Sequence, residues 1–264
     1  MEIKNGVGWL MAPESVTGLV LSSRNIGETD RRIVLLTREK GKISAFARGA
    51  VKPRNPLVSS TQVFTFGEFF VYTGRDSYTV TGAEVKNHFS GLIKDLDKYY
   101  YASYLCEIAE YYTRENLDAS EELLLLYQAL KALEKGLIDN RLVRYIYEWR
   151  MLYLQGEYPD VMKCAGCDST EKIAYFDMKK NIVFCEKCGN ATDINLIKIS
   201  PATLYSLQYI LTSNLKSLFA FSVKDEIMTE VEKLSKDYLK KVRNVTFNSE
   251  IFIDGGLGLE NITI

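Results

Sequence analysis

Between Val16 and Val85 apolar residues recur at every second position in short runs, "SVTGLVLSS", "RRIVLLT", "KISAFAR", "QVFTFGEFFVYTG" and "SYTVTGAEV", divided by turn residues. A period of 2 sends successive side chains to opposite faces of an extended chain, so this stretch predicts five β-strands. In the fourth run Phe64, Phe66, Phe70 and Tyr72 share one face while Val63, Phe69 and Val71 share the other. Both faces of that strand want burial or a ligand, as a barrel strand does. Thr73 to Ser77, "TGRDS", predicts the hairpin into the fifth strand.

Beyond Ser90 the period changes to 3.6, and the change sets a boundary near residue 90. Tyr101, Leu105, Ile108 and Tyr112 form one apolar stripe, Leu123, Leu126, Leu130, Leu133 and Leu137 a second, and Leu142, Ile146, Trp149 and Tyr153 a third. Ser200 as N-cap and Pro201 at the first helical position open another helix carrying Leu204, Leu207 and Leu211; Ile227, Val231, Leu234 and Tyr238 supply a last one. These stripes read as core packing, not as cofactor contacts. The expected fold class is α+β: a five-stranded OB-fold barrel over residues 1–89, then a helical domain over 90–264.

Composition adds little until it is read locally. The 264 residues are 47% apolar and 25% charged, ordinary for a protein with a substantial core, and no apolar run is long enough to span a bilayer. The N-terminus lacks the apolar and small-residue segments of a secretory signal, so a cytoplasmic location is expected. The net charge of −1 conceals +4 in residues 1–90. Arg24, Arg31, Arg32, Arg38, Lys40, Lys42, Arg48, Lys52 and Arg54 face only Glu28, Asp30 and Glu39 in the same span. Nine cations so close together cannot all be buried, and an exposed excess of positive charge attracts a polyanion. Cations beside aromatics on a small barrel suit single-strand binding, although Phe64, Phe66, Phe69 and Phe70 read first as core.

Cys164-x2-Cys167 and Cys185-x2-Cys188, separated by 17 residues, have the spacing of a four-cysteine zinc site. "KIAYFDM" and "NIVF" predict a hairpin turning at Lys179 to Asn181, which would return the second pair to the first and make a zinc ribbon at about 161–192. Gly166 and Gly189 fall at or just after a knuckle, where tight backbone geometry favours residues without a β-carbon. Four thiolates fill the coordination shell of one zinc ion, so the expected role is structural. Cys106 reads as a small buried helical residue.

Catalytic machinery is not evident. His88 is the single histidine and has no nucleophile motif near it, and no phosphate-binding glycine loop occurs. "DGGLGLE", Asp254 to Glu260, reads as a flexible tail, and the acidic pairs Glu121/Glu122 and Asp95/Asp97 read as solvated helix faces. The expectation is a binding protein and not an enzyme, with a zinc-ribbon adaptor for a transcription or translation assembly as the alternative.

Thr17 to Asn55 resembles the N-terminal domain of the RecO family of bacterial recombination mediators. The resemblance lies in Gly27-Glu28-x-Asp30-Arg31, then "LTREKGKI" from Leu36 to Ile43, then "ARGA" from Ala47 to Ala50 with a basic continuation. Similarity continues through "RLVRYIYEWRMLYLQGEYPD" to the cysteines and covers most of residues 16 to 240. It implies an OB-fold followed by a helical domain with a zinc-binding insertion. It further implies binding of single- and double-stranded DNA, annealing of complementary strands, and work with RecR in loading RecA onto DNA coated by single-strand-binding protein, in the cytoplasm at the nucleoid. Carried onto matching positions, Arg31, Lys40, Lys42, Arg48, Lys52 and Arg54 become candidate DNA contacts, with Arg24 and Arg32 beside them. Arg141 or Arg144 becomes a candidate contact for the acidic C-terminal tail of single-strand-binding protein.

Overall fold

Five strands, β1 (Glu14–Ile26), β2 (Asp30–Thr37), β3 (Gly41–Ala47), β4 (Phe66–Thr73) and β5 (Tyr78–Asn87), close into a barrel of order β1-β2-β3-β5-β4. The structure is a computed structural model and describes residues 13–75, 77–192 and 195–255. β3 and β5 pair in parallel and the other neighbours antiparallel, the five-stranded Greek-key closure of an OB-fold. Alternation sets the inside: Val16, Val20, Ile33, Leu35, Ile43, Ala45, Phe69, Val71 and Val80 form the barrel core. The hairpin predicted at Thr73 to Ser77 joins β4 to β5, closed by the Gly74 N–H donating to the Ser77 carbonyl.

One short helix, α1 (Leu57–Ser60), sits between β3 and β4 where the sequence pattern gave no sign of it. The fourth strand also starts later than its apolar run. Phe64 has φ 67° and ends an irregular connection, so its ring is buried from outside the strand, while Phe69 faces the barrel interior and Phe66 and Phe70 are half-buried on the outer face.

The chain divides into two compact units, residues 1–90 with 109–123, and residues 91–108 with 124–264. The helices of the second region are α2 (Ser90–Ile93), α3 (Leu96–Tyr112), α4 (Ser120–Lys135) and α5 (Asn140–Leu154). The first unit borrows the α3–α4 connection for its barrel. Arg114 accepts from the Lys42 N–H through its carbonyl, the Asn116 N–H donates to the Lys40 carbonyl, and Lys42 Nζ donates to the Glu110 carbonyl. Gly41 makes this seam possible: its φ is +63°, and an added β-carbon would lie 2.1 Å from the Arg114 carbonyl oxygen. Gly41→Ala is therefore expected to destabilise the barrel by at least about 1–3 kcal/mol from backbone conformation alone, read as a lowered denaturation midpoint of the barrel unit.

The stripes Leu123, Leu126, Leu130 and Leu133, and Leu142, Ile146 and Trp149, are buried as expected, all but Leu123 in the second unit. Leu137 is a correction. Gly136, at φ +61°, stops α4 after Lys135, and Leu137 lies beyond the helix and 81% exposed. A small sheet follows from β6 (Asp160–Cys164), β7 (Ile173–Asp177), β8 (Ile182–Cys185) and β9 (Ile197–Lys198) in order β6-β8-β7-β9, with α6 (Glu186–Asn190) after β8. The chain ends with α7 (Pro201–Thr212), α8 (Asp225–Val242) and α9 (Glu250–Asp254). Ser200 caps α7 as expected, its hydroxyl accepting from the Thr203 N–H. Asp254, expected in a flexible tail, instead belongs to α9 and accepts hydrogen bonds from Arg144; residues 256–260 of that stretch lie outside the described residues.

Candidate nucleic-acid face and metal centre

The β2–β3 hairpin separates the cations of the first unit into two groups. Its register runs from Arg31 opposite Ala47 to Thr37 opposite Gly41, a length of about 20 Å at about 3.4 Å per residue. At the first end, the loop after β3 folds back on the β1–β2 turn: the Val51 N–H donates to the Thr29 carbonyl, and the Gly49 N–H donates to Asp30. That contact, with the Thr29 hydroxyl, holds the Asp30 carboxyl below the usual carboxylate range. Arg24, Arg32, Arg48, Lys52 and Arg54 are all exposed here. Among the described residues none of the five forms an ion pair; Arg32 Nε donates to the Ser44 hydroxyl at 2.9 Å.

Arg31 at the same end is turned inward, its Nη1 donating to the Val58 carbonyl at 2.7 Å and the Thr61 hydroxyl at 3.1 Å. It fastens α1 to the barrel. At the far end Lys40 is paired with Glu14 at 2.8 Å, which raises the ammonium and lowers the carboxyl pKa, and Lys42 is committed to the Glu110 carbonyl. Arg38 is paired with Glu39 at 2.8 Å. The structure thus groups Arg24 and Arg32 with Arg48, Lys52 and Arg54, and sets Lys40 and Lys42 apart.

Arg144 in the second unit is only 1% exposed and is enclosed by carboxylates. Its Nε meets Glu148 at 2.9 Å, Nη1 meets Asp254 at 2.8 Å and Nη2 meets Glu250 at 3.2 Å, with the Tyr104 ring 4.6 Å below the guanidinium. Burial pushes the Glu148 carboxyl up, against the pull of Arg144 and of the Tyr104 hydroxyl. Arg243 also pairs with Glu250. By contrast Arg141 is exposed and pairs at 2.7 Å with Asp139, the N-cap of α5.

Four sulfurs converge in the ribbon. The Sγ atoms of Cys164, Cys167, Cys185 and Cys188 all lie within 4.8 Å of one another. Cys167 and Cys185 are 3.8 Å apart, the edge of a tetrahedron with metal–sulfur bonds of about 2.3 Å. The β7–β8 hairpin brings the pairs together, turning at residues 178–181 as its sequence predicts. Burial opposes ionisation of Cys164, yet N–H donation from Cys185, Gly166 and Cys167 outweighs it and brings the thiol to about 6. Hydrogen bonding to Cys167 and Cys185 pushes the Cys188 thiol up to about 12. One thiolate forms readily here, and four at this spacing repel unless a cation sits among them, so the donor set fits a soft divalent metal. Gly189 stands against the Tyr175 ring, where a β-carbon would approach to 2.3 Å, and Gly166 stands 3.0 Å, on the same measure, from the Cys188 sulfur. Cys106 is buried on α3, apart from this cluster.

A closed five-stranded OB barrel, followed by helices that carry four convergent thiols able to hold one metal ion, defines the class of architecture. The chain belongs to the RecO family: residues 11–89 match the family profile "Recombination protein O N terminal" and residues 93–244 match "Recombination protein O C terminal". It is 34% identical over 226 residues to a protein of Acetivibrio thermocellus named DNA repair protein RecO, covering 85% of this chain and 90% of that one. Proteins of the same name from Bacillus subtilis and Listeria innocua are 30% and 29% identical, each match covering more than nine-tenths of the relative.

Sequence reading does not pair Arg144 with Glu250 or Asp254, because nothing in helical periodicity marks charges more than 100 residues apart as neighbours; Glu148, four residues on in the same helix, was the one partner that spacing could have given. Sequence reading also passed over Phe46. The signal was available: Ile43, Ala45 and Ala47 are interior, which turns Phe46 outward beside Arg32.

Proposed function

We propose that this chain is a DNA-binding recombination mediator that binds single and double strands, anneals complementary strands, and acts with RecR in loading a recombinase onto DNA held by single-strand-binding protein. The carrying observation is the set of five exposed cations, Arg24, Arg32, Arg48, Lys52 and Arg54, none in a salt bridge among the described residues, on the barrel of a RecO-family chain; Asp30, whose field reaches Arg48 and Lys52, is already bonded to Gly49 and Thr29. Phosphates approaching that end displace counterions instead of breaking existing ion pairs, which favours binding. Two strands neutralised by the same surface repel each other less, and annealing needs no nucleotide hydrolysis.

Zinc is the proposed occupant of the four cysteines, with a structural role because thiolates fill its shell. For the acidic tail of single-strand-binding protein, Arg141 is the accessible contact; Arg144 becomes available only if Glu250 and Asp254 leave it. No helix among the described residues is long and apolar enough to cross a membrane, and action on DNA at the nucleoid is part of the proposal.

The test is strand annealing and oligonucleotide binding across a salt series. Replacing Arg24, Arg32 and Arg48 together by glutamine should slow annealing and flatten the log–log salt slope by about 2 on single strands and about 3 on duplex. Lys40→Gln and Lys42→Gln should flatten it less, since each ammonium must first leave its protein partner. An unchanged slope in the triple variant would remove the cationic end from the reading. Binding insensitive to salt would instead favour a protein adaptor.

A further inference from the structure

Residues directly opposed on neighbouring strands share a face, with β-carbons about 4.5–5.5 Å apart. One such row crosses all five strands of the barrel: Arg24 on β1 faces Arg32 on β2, Arg32 faces Phe46 on β3, Phe46 faces Thr79 on β5, and Thr79 faces Tyr72 on β4. The strand neighbours Ile33, Ala45, Ala47, Val71, Tyr78 and Val80 belong to the interior core, so the row lies outside. Arg24 and Arg32 are exposed, and Phe46, Thr79 and Tyr72 are half-buried. Among the described residues neither Phe46 nor Tyr72 has a second ring or a cation against its face.

We propose that Phe46 and Tyr72 are base-stacking residues, and that this row is a track on which one DNA strand lies across the barrel, its phosphates on Arg24 and Arg32. The proposal rests on the DNA-binding reading above and adds which state of the strand this face selects.

Charge is arranged for that ligand. The row itself contains no carboxylate, and the outer-face pair Glu68 and Glu84 lies four positions further along β4, about 13 Å away. Ser44, two residues before Phe46 on the same face of β3, accepts from Arg32 and holds its side chain over that strand. Phe46 and Tyr72 are two strand spacings apart, about 10 Å, on the outer face, with the small Thr79 side chain between them. A base offers a π-face to such a ring whatever its identity, but only when it is not already stacked and paired in a duplex. Cations alone would attract both forms of DNA; the rings make the face selective for unpaired bases.

The experiment measures binding of the full chain to labelled oligo-dT and to a duplex of equal length, by anisotropy across a salt series. Phe46→Leu and Tyr72→Leu keep an apolar cover on the barrel while removing the ring. Each is expected to lose about 10-fold in affinity for oligo-dT, with the salt slope and the duplex affinity unchanged, and Phe46→Tyr should restore binding. Equal losses on both probes, or none on either, would overturn the track. Photocrosslinking of 5-iodouracil-substituted oligo-dT to the unmutated protein gives a readout independent of folding: adducts at Phe46 or Tyr72 support the proposal, and adducts confined to other residues overturn it. Failure of the unmutated protein to bind either probe would overturn the DNA-binding reading as well, whereas binding that ignores the ring substitutions overturns only the track.

Discussion

Cys164→Ser should purify with almost no bound zinc where the unmutated chain is expected to carry one ion per molecule, and its ribbon should open while the barrel stays folded. Cys164 is fully buried and accepts N–H donation from both Gly166 and Cys185, so it ties the first knuckle to the second. Serine cannot supply a soft thiolate, and the three remaining sulfurs leave the shell incomplete. The segment's own apolar cluster is Cys164, Phe184 and Cys185 with the half-buried Tyr175, Ile182 and Leu196 beside them. Phe176 against Tyr238, Lys241 on the Met178 and Lys179 carbonyls and Gln208 on the Val161 carbonyl anchor the segment to α8 and α7 but do not join one knuckle to the other. Structural zinc supplies about 10–16 kcal/mol of apparent binding free energy in small zinc domains, far more than a cluster of that size can. Elemental analysis with hydrogen exchange over residues 160–192 checks it. Full zinc occupancy in Cys164→Ser, or unchanged protection of β7 and β8, would contradict the metal assignment.

The second large effect is expected at Arg144→Ala. The substitution leaves Glu148 buried, with Glu250 and Asp254 facing it and without the guanidinium that joined all three. Breaking a buried pair from one side costs about 3–5 kcal/mol, because the orphaned charge stays desolvated. α9 should suffer first, since its two carboxylates are held by Arg144, with Arg243 on Glu250 and Lys236 on Asp254 as remaining partners. Protease sensitivity after Arg243 should rise together with the fall in melting temperature. Arg144→Met combined with Glu148→Leu should recover most of the loss, because two apolar groups need no solvation. A single variant as stable as the unmutated chain would show that the cluster holds nothing together.

What was legible in the chain follows from the range of the forces involved. Strand alternation and helical stripes are local, so five barrel strands and the buried faces of α4, α5 and α7 could be read from spacing. Two CxxC pairs flanking a hairpin pattern bring their own geometry with them, and the four sulfurs converge as expected. The start of β4 could not be read, because Phe64 is as apolar as the strand residues and its positive φ leaves no mark in hydropathy. Nor could the sorting of cations. Lys40 and Arg32 look alike in sequence; only closure of the barrel gives one a carboxylate at 2.8 Å and leaves the other facing solvent.

The seam at Gly41 bears on how the chain is made. Residues 109–123 supply the partners for Lys40 and Lys42, so the polypeptide leaves the barrel at residue 90, returns to it, and leaves again. During synthesis the first unit therefore cannot finish when its last strand emerges from the ribosome; it waits until the α3–α4 connection has followed. A fragment cut at residue 90 would expose the backbone groups of Lys40 and Lys42 to water, and would be a poor stand-in for the intact N-terminal module.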